Sequence, residues 1–183
     1  QVSRADYDIR QLLKKQSPLH TNFVMGHSRL ITNGLSDNQP VVRDGLVLIH
    51  NGIIVNDDQV WSNISQSRQY RIDSEAILGA ALQRIVDDGS IEDIPEKIFQ
   101  LCKGTISAAL AMPSEGKLLL FSNNGSLYVG KIEGAFYFTS ERYPLELLGC
   151  TEIEQVHTAA RIVDIPVSES IHVQDDKIRS KNL

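Results

Sequence analysis

Cysteine is scarce: the 183-residue chain has two, Cys102 and Cys150, with no CxxC pair and no Cys/His cluster. That density excludes a disulfide scaffold and a cysteine-held zinc site. The bland reading, two buried free thiols in a reduced, cytoplasmic protein, follows. Apolar runs are short, and none approaches the roughly 18 residues of a membrane span. The first residues (Gln1-Val2-Ser3-Arg4-Ala5-Asp6) lack the apolar core of a signal peptide. Basic residues are outnumbered, 18 against 23 acidic, for a net charge of −5. Nucleic acid therefore has no basic footprint to meet. What remains is 42% hydrophobic residues in a length that suits one domain with a real core.

The pattern changes along the chain. Ile9, Leu12 and Leu13 among charges predict a short helix over 4–16, ended by Pro18. Asn22–Leu30 reads as a strand. Leu46–His50 is an apolar run after Asp44-Gly45, hence a buried strand after a turn. Asp73–Asp88 reads as a helix with Ile77, Ala80, Ala81 and Ile85 on one side and Asp73 as its N-cap. A second helix spans Ile91–Leu101, with Pro95 in its first turn.

In the second half short strands are predicted at Thr105–Met112, Lys117–Phe121, Leu127–Lys131, Ala135–Thr139, Glu154–Val156, Arg161–Ile165 and Ser170–Val173, with helical turns at Tyr143–Leu148. Turn chemistry at Pro113–Gly116, Asn123–Gly125 and Glu133-Gly134 separates them. Helices first and hairpin-linked strands later argue for an α+β fold with antiparallel sheets.

Three polar clusters stand at the ends of apolar runs. The first is Gly26-His27-Ser28-Arg29, followed by Leu30-Ile31-Thr32. A guanidinium at a strand end needs a carboxylate, from a ligand or from an internal salt bridge. The second is His50-Asn51-Gly52, ahead of Ile53-Ile54. Asn-Gly is a common hairpin turn. Here the chain would turn sharply in an apolar setting, leaving an amide side chain and an unhindered N–H outward, the parts of an oxyanion hole. The third is Asp73-Ser74-Glu75, either a helix cap or a carboxylate that receives an ammonium group.

In this order, with Asp37-Asn38-Gln39-Pro40 between the first two and Phe136–Glu141 after them, these motifs resemble the class II glutamine amidotransferase domain. That domain is the glutaminase part of glucosamine-6-phosphate synthase and asparagine synthetase. The resemblance implies an N-terminal-nucleophile hydrolase fold, an αββα sandwich of two antiparallel sheets. It implies that the chain, read as one domain over 1–183, is N-terminally incomplete and lacks the fold's first strand. It implies hydrolysis of glutamine to glutamate and ammonia for a synthase domain or subunit outside this chain. Arg29 would hold the substrate α-carboxylate, Asp73 its α-amino group, and Thr32 would lie beside it. The Asn51 side chain and Gly52 N–H would bind the oxyanion. No metal and no cofactor are implied, and neither His27 nor His50 would act as a base. A homo-oligomer is compatible with the family.

The departures matter too. The family's nucleophile is an N-terminal cysteine, whereas residue 1 is Gln and neither Cys102 nor Cys150 is placed to substitute. These 183 residues alone are therefore expected to be inactive. The alternative is an inactive glutamine-binding or regulatory module. Leu30 stands where sugar-phosphate members carry Trp, and Gln39 where many members carry His, so the ammonia acceptor stays open.

Overall fold

The computed structural model describes residues 1–4, 10, 14, 21–28 and 39–175. Val2–Arg4 form β1, so the helix expected over 4–16 does not begin at Arg4; Arg10 and Lys14 are helical, and the rest of that stretch lies outside the described residues. Val41–Arg43 (β2) and Leu46–Ile54 (β3) form a hairpin. Its two turn residues, Asp44 and Gly45, have φ of 46° and 82°. Paired positive φ values at the two central residues match the twist of flanking strands.

Helices α1 (Asp57–Ser62), α2 (Glu75–Val86) and α3 (Ile94–Leu101) follow. The strands β4 (Gly104–Met112), β5 (Lys117–Ser122), β6 (Tyr128–Ile132) and β7 (Ala135–Thr139) come next. The described chain ends with α4 (Arg142–Leu147), β8 (Glu152–Gln155), β9 (Ala159–Asp164) and β10 (Val173–Asp175).

Among the described residues the strands make a five-stranded antiparallel sheet, β2-β3-β4-β5-β9, and a three-stranded antiparallel sheet, β7-β6-β8. A parallel pair, β1-β10, stands apart from both. Side-chain alternation on the large sheet separates two cores. Leu46, Leu48, Ile106, Leu110, Leu119 and Phe121 pack with Ala76, Ile77, Ala80, Ala81, Ile94 and Ile98 of α2 and α3. Their neighbours Val47, Ile49, Ala109, Ala111, Leu118 and Leu120 meet Leu127, Val129 and Val156 of the small sheet. The helix α4 covers that sheet's other side and buries Leu145. This is the α+β arrangement of two antiparallel sheets between helices that the sequence led us to expect.

Several details differ from expectation. Residues 23–28 join no ladder, so the strand predicted at Asn22–Leu30 is absent over its described part. Phe23 and Met25 still pack on the inter-sheet core, which accounts for their alternation. Ile85 is exposed, because α2 is buried from Glu75 to Leu82 and emerges beyond. Asn123–Gly125 links no hairpin; it carries the chain from β5 in one sheet to β6 in the other. Of Ser170–Val173 only Val173 is in a strand.

Candidate active site

The segment His50-Asn51-Gly52 is not a turn. The strand β3 runs straight through it, with Asn51 opposite Ser107 and Gly52 opposite Ile106 of β4 in unbroken register. The apolar Ile53-Ile54 continues the strand, and Ile54 is buried, so no reversal of the chain is needed. Gly52 has φ of +147°, and a Cβ there would stand 2.0 Å from Thr105 O. Only glycine fits that approach of two backbones.

The two-residue repeat of the strand then distributes the chemistry. His50 faces the helices and Asn51 faces the inter-sheet side, on the same face as Val47 and Ile49. The Asn51 side chain is exposed and makes no hydrogen bond with the described residues. It opens onto a cavity of about 300 Å³ at the end of the sandwich, lined also by Gly26-His27-Ser28, Ser107 and Phe138-Thr139-Ser140. The segment that leads into Arg29 thus forms one wall of the cavity. Arg29 and Thr32 themselves lie outside the described residues.

Asp73 does not cap α2. The N-cap is Ser74 without a side-chain cap bond, and the first N–H groups of α2 donate to the carbonyls of Ile72, Asp73 and Ser74. The Asp73 carboxylate instead accepts the N–H of Ile54 at 2.7 Å. It is held beside the end of β3, half-buried and outside the cavity lining. The structure therefore gathers Asn51, Gly52 and Asp73 along the second half of β3, and of these three only Asn51 lies on the cavity wall.

His50 explains why Ser74 is there. Its ring is buried, with Nδ1 2.9 Å from Ser74 Oγ and Nε2 3.1 Å from Thr105 O. A carbonyl can only accept, so Nε2 carries the proton and Nδ1 accepts from the serine hydroxyl. Burial lowers the His50 pKa, partly opposed by the Thr105 carbonyl and by Asp73. The ring is buried and held at both nitrogens, and its burial favours the neutral form.

Sequence reasoning missed a buried pair next to this site. Glu75 accepts from Arg43 Nη1 at 3.0 Å and from the N–H groups of Gln69 and Tyr70 at 2.9 and 2.7 Å. Arg43 also stacks over Trp61 at 5.7 Å. The one available signal was an acid opening a helix whose next seven residues are apolar or glycine. Asp73, Ser74 and Glu75 thus tie the start of α2 to Ile54, His50 and Arg43 in turn.

The two cysteines are free and buried away from the cavity. Burial pushes the Cys102 thiol up to about 12. A thiol held protonated in apolar surroundings is inert. Among the described residues, no group of three or more His, Cys, Asp or Glu is arranged to hold a metal ion, and no helix is long and apolar enough to cross a membrane.

Comparison with known proteins agrees with this fold. Among curated proteins, the 7-cyano-7-deazaguanine synthase of Saccharolobus solfataricus is 27% identical over 146 residues, 73% of this chain and 31% of that protein. Among solved structures, the glutamine phosphoribosylpyrophosphate amidotransferase of B. subtilis, complexed with ADP and GMP, superposes with a TM-score of 0.58 at 20% identity. The match covers 75% of this chain and 32% of that one. An allosteric regulatory enzyme of purine biosynthesis gives 0.51 at 19%, covering 65% and 26%. At such identities the likeness is one of fold. The chain spans about a third or less of the length of these relatives. A family model described as "Glutamine amidotransferase domain" matches residues 27–146, well over half of the chain, from the His27 wall of the cavity to α4. This chain belongs to the glutamine amidotransferase domain family.

Proposed function

We propose that this domain hydrolyses glutamine to glutamate and ammonia, and that the ammonia passes to a synthase domain or subunit. The observation that carries the reading lies in β3: an Asn51 amide with no hydrogen-bond partner among the described residues opens into a cavity beside a glycine that a close backbone approach requires. An amide carbonyl under attack becomes an oxyanion. Asn51 Nδ2–H and Gly52 N–H are the donors we assign to it. Preorganised donors of this kind are worth about 10²–10³ in rate each. Arg29 takes the α-carboxylate of glutamine, Asp73 its α-ammonium group, and Thr32 lies beside it. A substrate with one anion and one cation close together calls for one cationic and one anionic anchor.

Collapse of the tetrahedral intermediate expels ammonia and leaves an acyl intermediate, which water converts to glutamate. The family resemblance assigns the attack to the thiolate of an N-terminal cysteine. Cys102 and Cys150 are buried away from the cavity and cannot supply it. A relative named as a synthase, most of whose length lies outside the match, supports an ammonia-consuming partner. We place the reaction in the cytoplasm.

A second reading, a glutamine-binding or regulatory module without hydrolysis, uses the same cavity at Asn51. One experiment separates the two. The full-length natural protein is incubated with glutamine, glutamate release is followed enzymatically, and binding is measured by calorimetry. Release of glutamate supports the glutaminase. Binding without release supports the module, and neither would sink both.

A further inference from the structure

Gln39 stands just before β2 and is 7% exposed. Its side chain makes two hydrogen bonds to a single residue. Nε2–H donates to His50 O at 2.8 Å, and Oε1 accepts the His50 N–H at 2.6 Å. This is the pair of bonds that a residue of a neighbouring antiparallel strand would make. The register shows why a side chain is used. The strand β2 pairs Arg43 with Leu46 and Val41 with Leu48, so position 39 falls opposite His50. Pro40 intervenes and has no N–H to continue a ladder. The Gln39 carboxamide takes over where the backbone stops.

The consequence falls on the next two residues. His50 is gripped on its backbone by Gln39 and on its ring by Ser74 and Thr105. Its N–H and C=O turn away from β4, toward Gln39. By the two-residue repeat of a strand, the Gly52 N–H is directed to that same edge, beyond the end of β2. Asn51 lies between the two.

We propose that Gln39 is a positioning residue for the Asn51–Gly52 donor pair: it acts as a substitute strand that fixes where those two N–H groups point. This rests on the glutaminase reading of the site. Donors displaced by about 1 Å lose on the order of 10²-fold in rate, and a group that acts only on the developing oxyanion changes kcat rather than KM.

The test uses the full-length protein and glutamine. Gln39→Ala is expected to lower kcat by about ten- to a hundred-fold with KM within about two-fold. Gln39→Glu gives an independent readout. Its ionised carboxylate cannot donate to His50 O, whereas the protonated acid can both donate and accept. Activity of Gln39→Glu relative to wild type at the same pH therefore rises as the pH falls. A folded Gln39→Ala with unchanged kcat, a rise in KM alone, or no recovery of Gln39→Glu in acid would each overturn the proposal. Absence of glutamate release by the wild type would count against the glutaminase reading instead. The clamp is then judged by amide hydrogen exchange at Asn51 and Gly52: faster exchange in Gln39→Ala supports it, and unchanged exchange overturns it.

Discussion

The Asp73 carboxylate accepts the backbone N–H of Ile54 at 2.7 Å, which locks the loop before α2 onto the end of β3. A side chain that in isolation reads as a helix cap thus serves the strand that carries Asn51 and Gly52. Removing the carboxylate and removing only its charge should differ. Asp73→Asn keeps an oxygen for the Ile54 N–H, so it should fold normally, and under the proposed function it should raise KM for glutamine by losing the charge assigned to the ammonium group. Asp73→Ala also leaves a backbone donor unpaired, at a cost of about 1–3 kcal/mol. Steady-state kinetics and urea unfolding of the two variants check this, and equal stability losses would contradict it.

Asn51 is exposed and has no hydrogen-bond partner among the described residues, so the fold does not depend on its amide. Asn51→Ala is expected to reduce glutamine hydrolysis by about 10²–10³-fold while leaving the melting temperature within a degree or two of wild type. Gly52→Ala should fail in both respects. Its Cβ would stand 2.0 Å from Thr105 O, at a φ that L-residues rarely adopt. Calorimetric melts alongside the activity assay distinguish these outcomes; a stable Gly52→Ala would mean that β3 and β4 can separate freely there.

Much of this was legible in the sequence because the signals were local. Leu46–His50 is apolar enough to be a buried strand wherever it lies, and Asp44-Gly45 can hardly be anything but a tight turn. The antiparallel organisation followed from short strands with turn residues between them. Asn51-Gly52 misled because a dipeptide that favours hairpins sits mid-strand, and the reason is long-range: the Thr105 carbonyl crowds it from β4. Asp73 misled in the same way, since its partner is 19 residues away on another element. The Arg43–Glu75 pair and the Gln39 clamp were invisible for that reason also. Nothing in a linear pattern tells which buried charge will meet which, or which side chain will complete a ladder. The order of the polar clusters carried the family resemblance, because order is read from the chain without knowing which element each cluster lies on.

The buried pair makes its own prediction. The Arg43 and Glu75 side chains are 3% and 0% exposed. Truncation of one partner leaves the other charge desolvated, so Arg43→Ala should destabilise the domain by about 3–5 kcal/mol. Replacing both with apolar residues should not fully restore stability. Glu75 also accepts the N–H groups of Gln69 and Tyr70, which would be left without an acceptor. Urea unfolding of the single and double variants measures this; full recovery in the double variant would show that those two N–H groups find other partners.

His50 gives stability a direction in pH. Its pKa in the folded chain is lowered from the ordinary 6.5, chiefly by burial. Below 6.5 the unfolded chain binds a proton at this ring that the folded chain resists. Stability is therefore fully present above that pH and is lost as the pH falls from 6.5 toward the lower folded value. His50→Gln keeps a donor for Thr105 O and removes the titration. Its unfolding free energy, measured from pH 8 to pH 5, should fall less steeply than that of the wild type. Parallel curves for the two proteins would mean that the His50 ring is not held neutral between Ser74 and Thr105, and that other groups set the acid limb of stability.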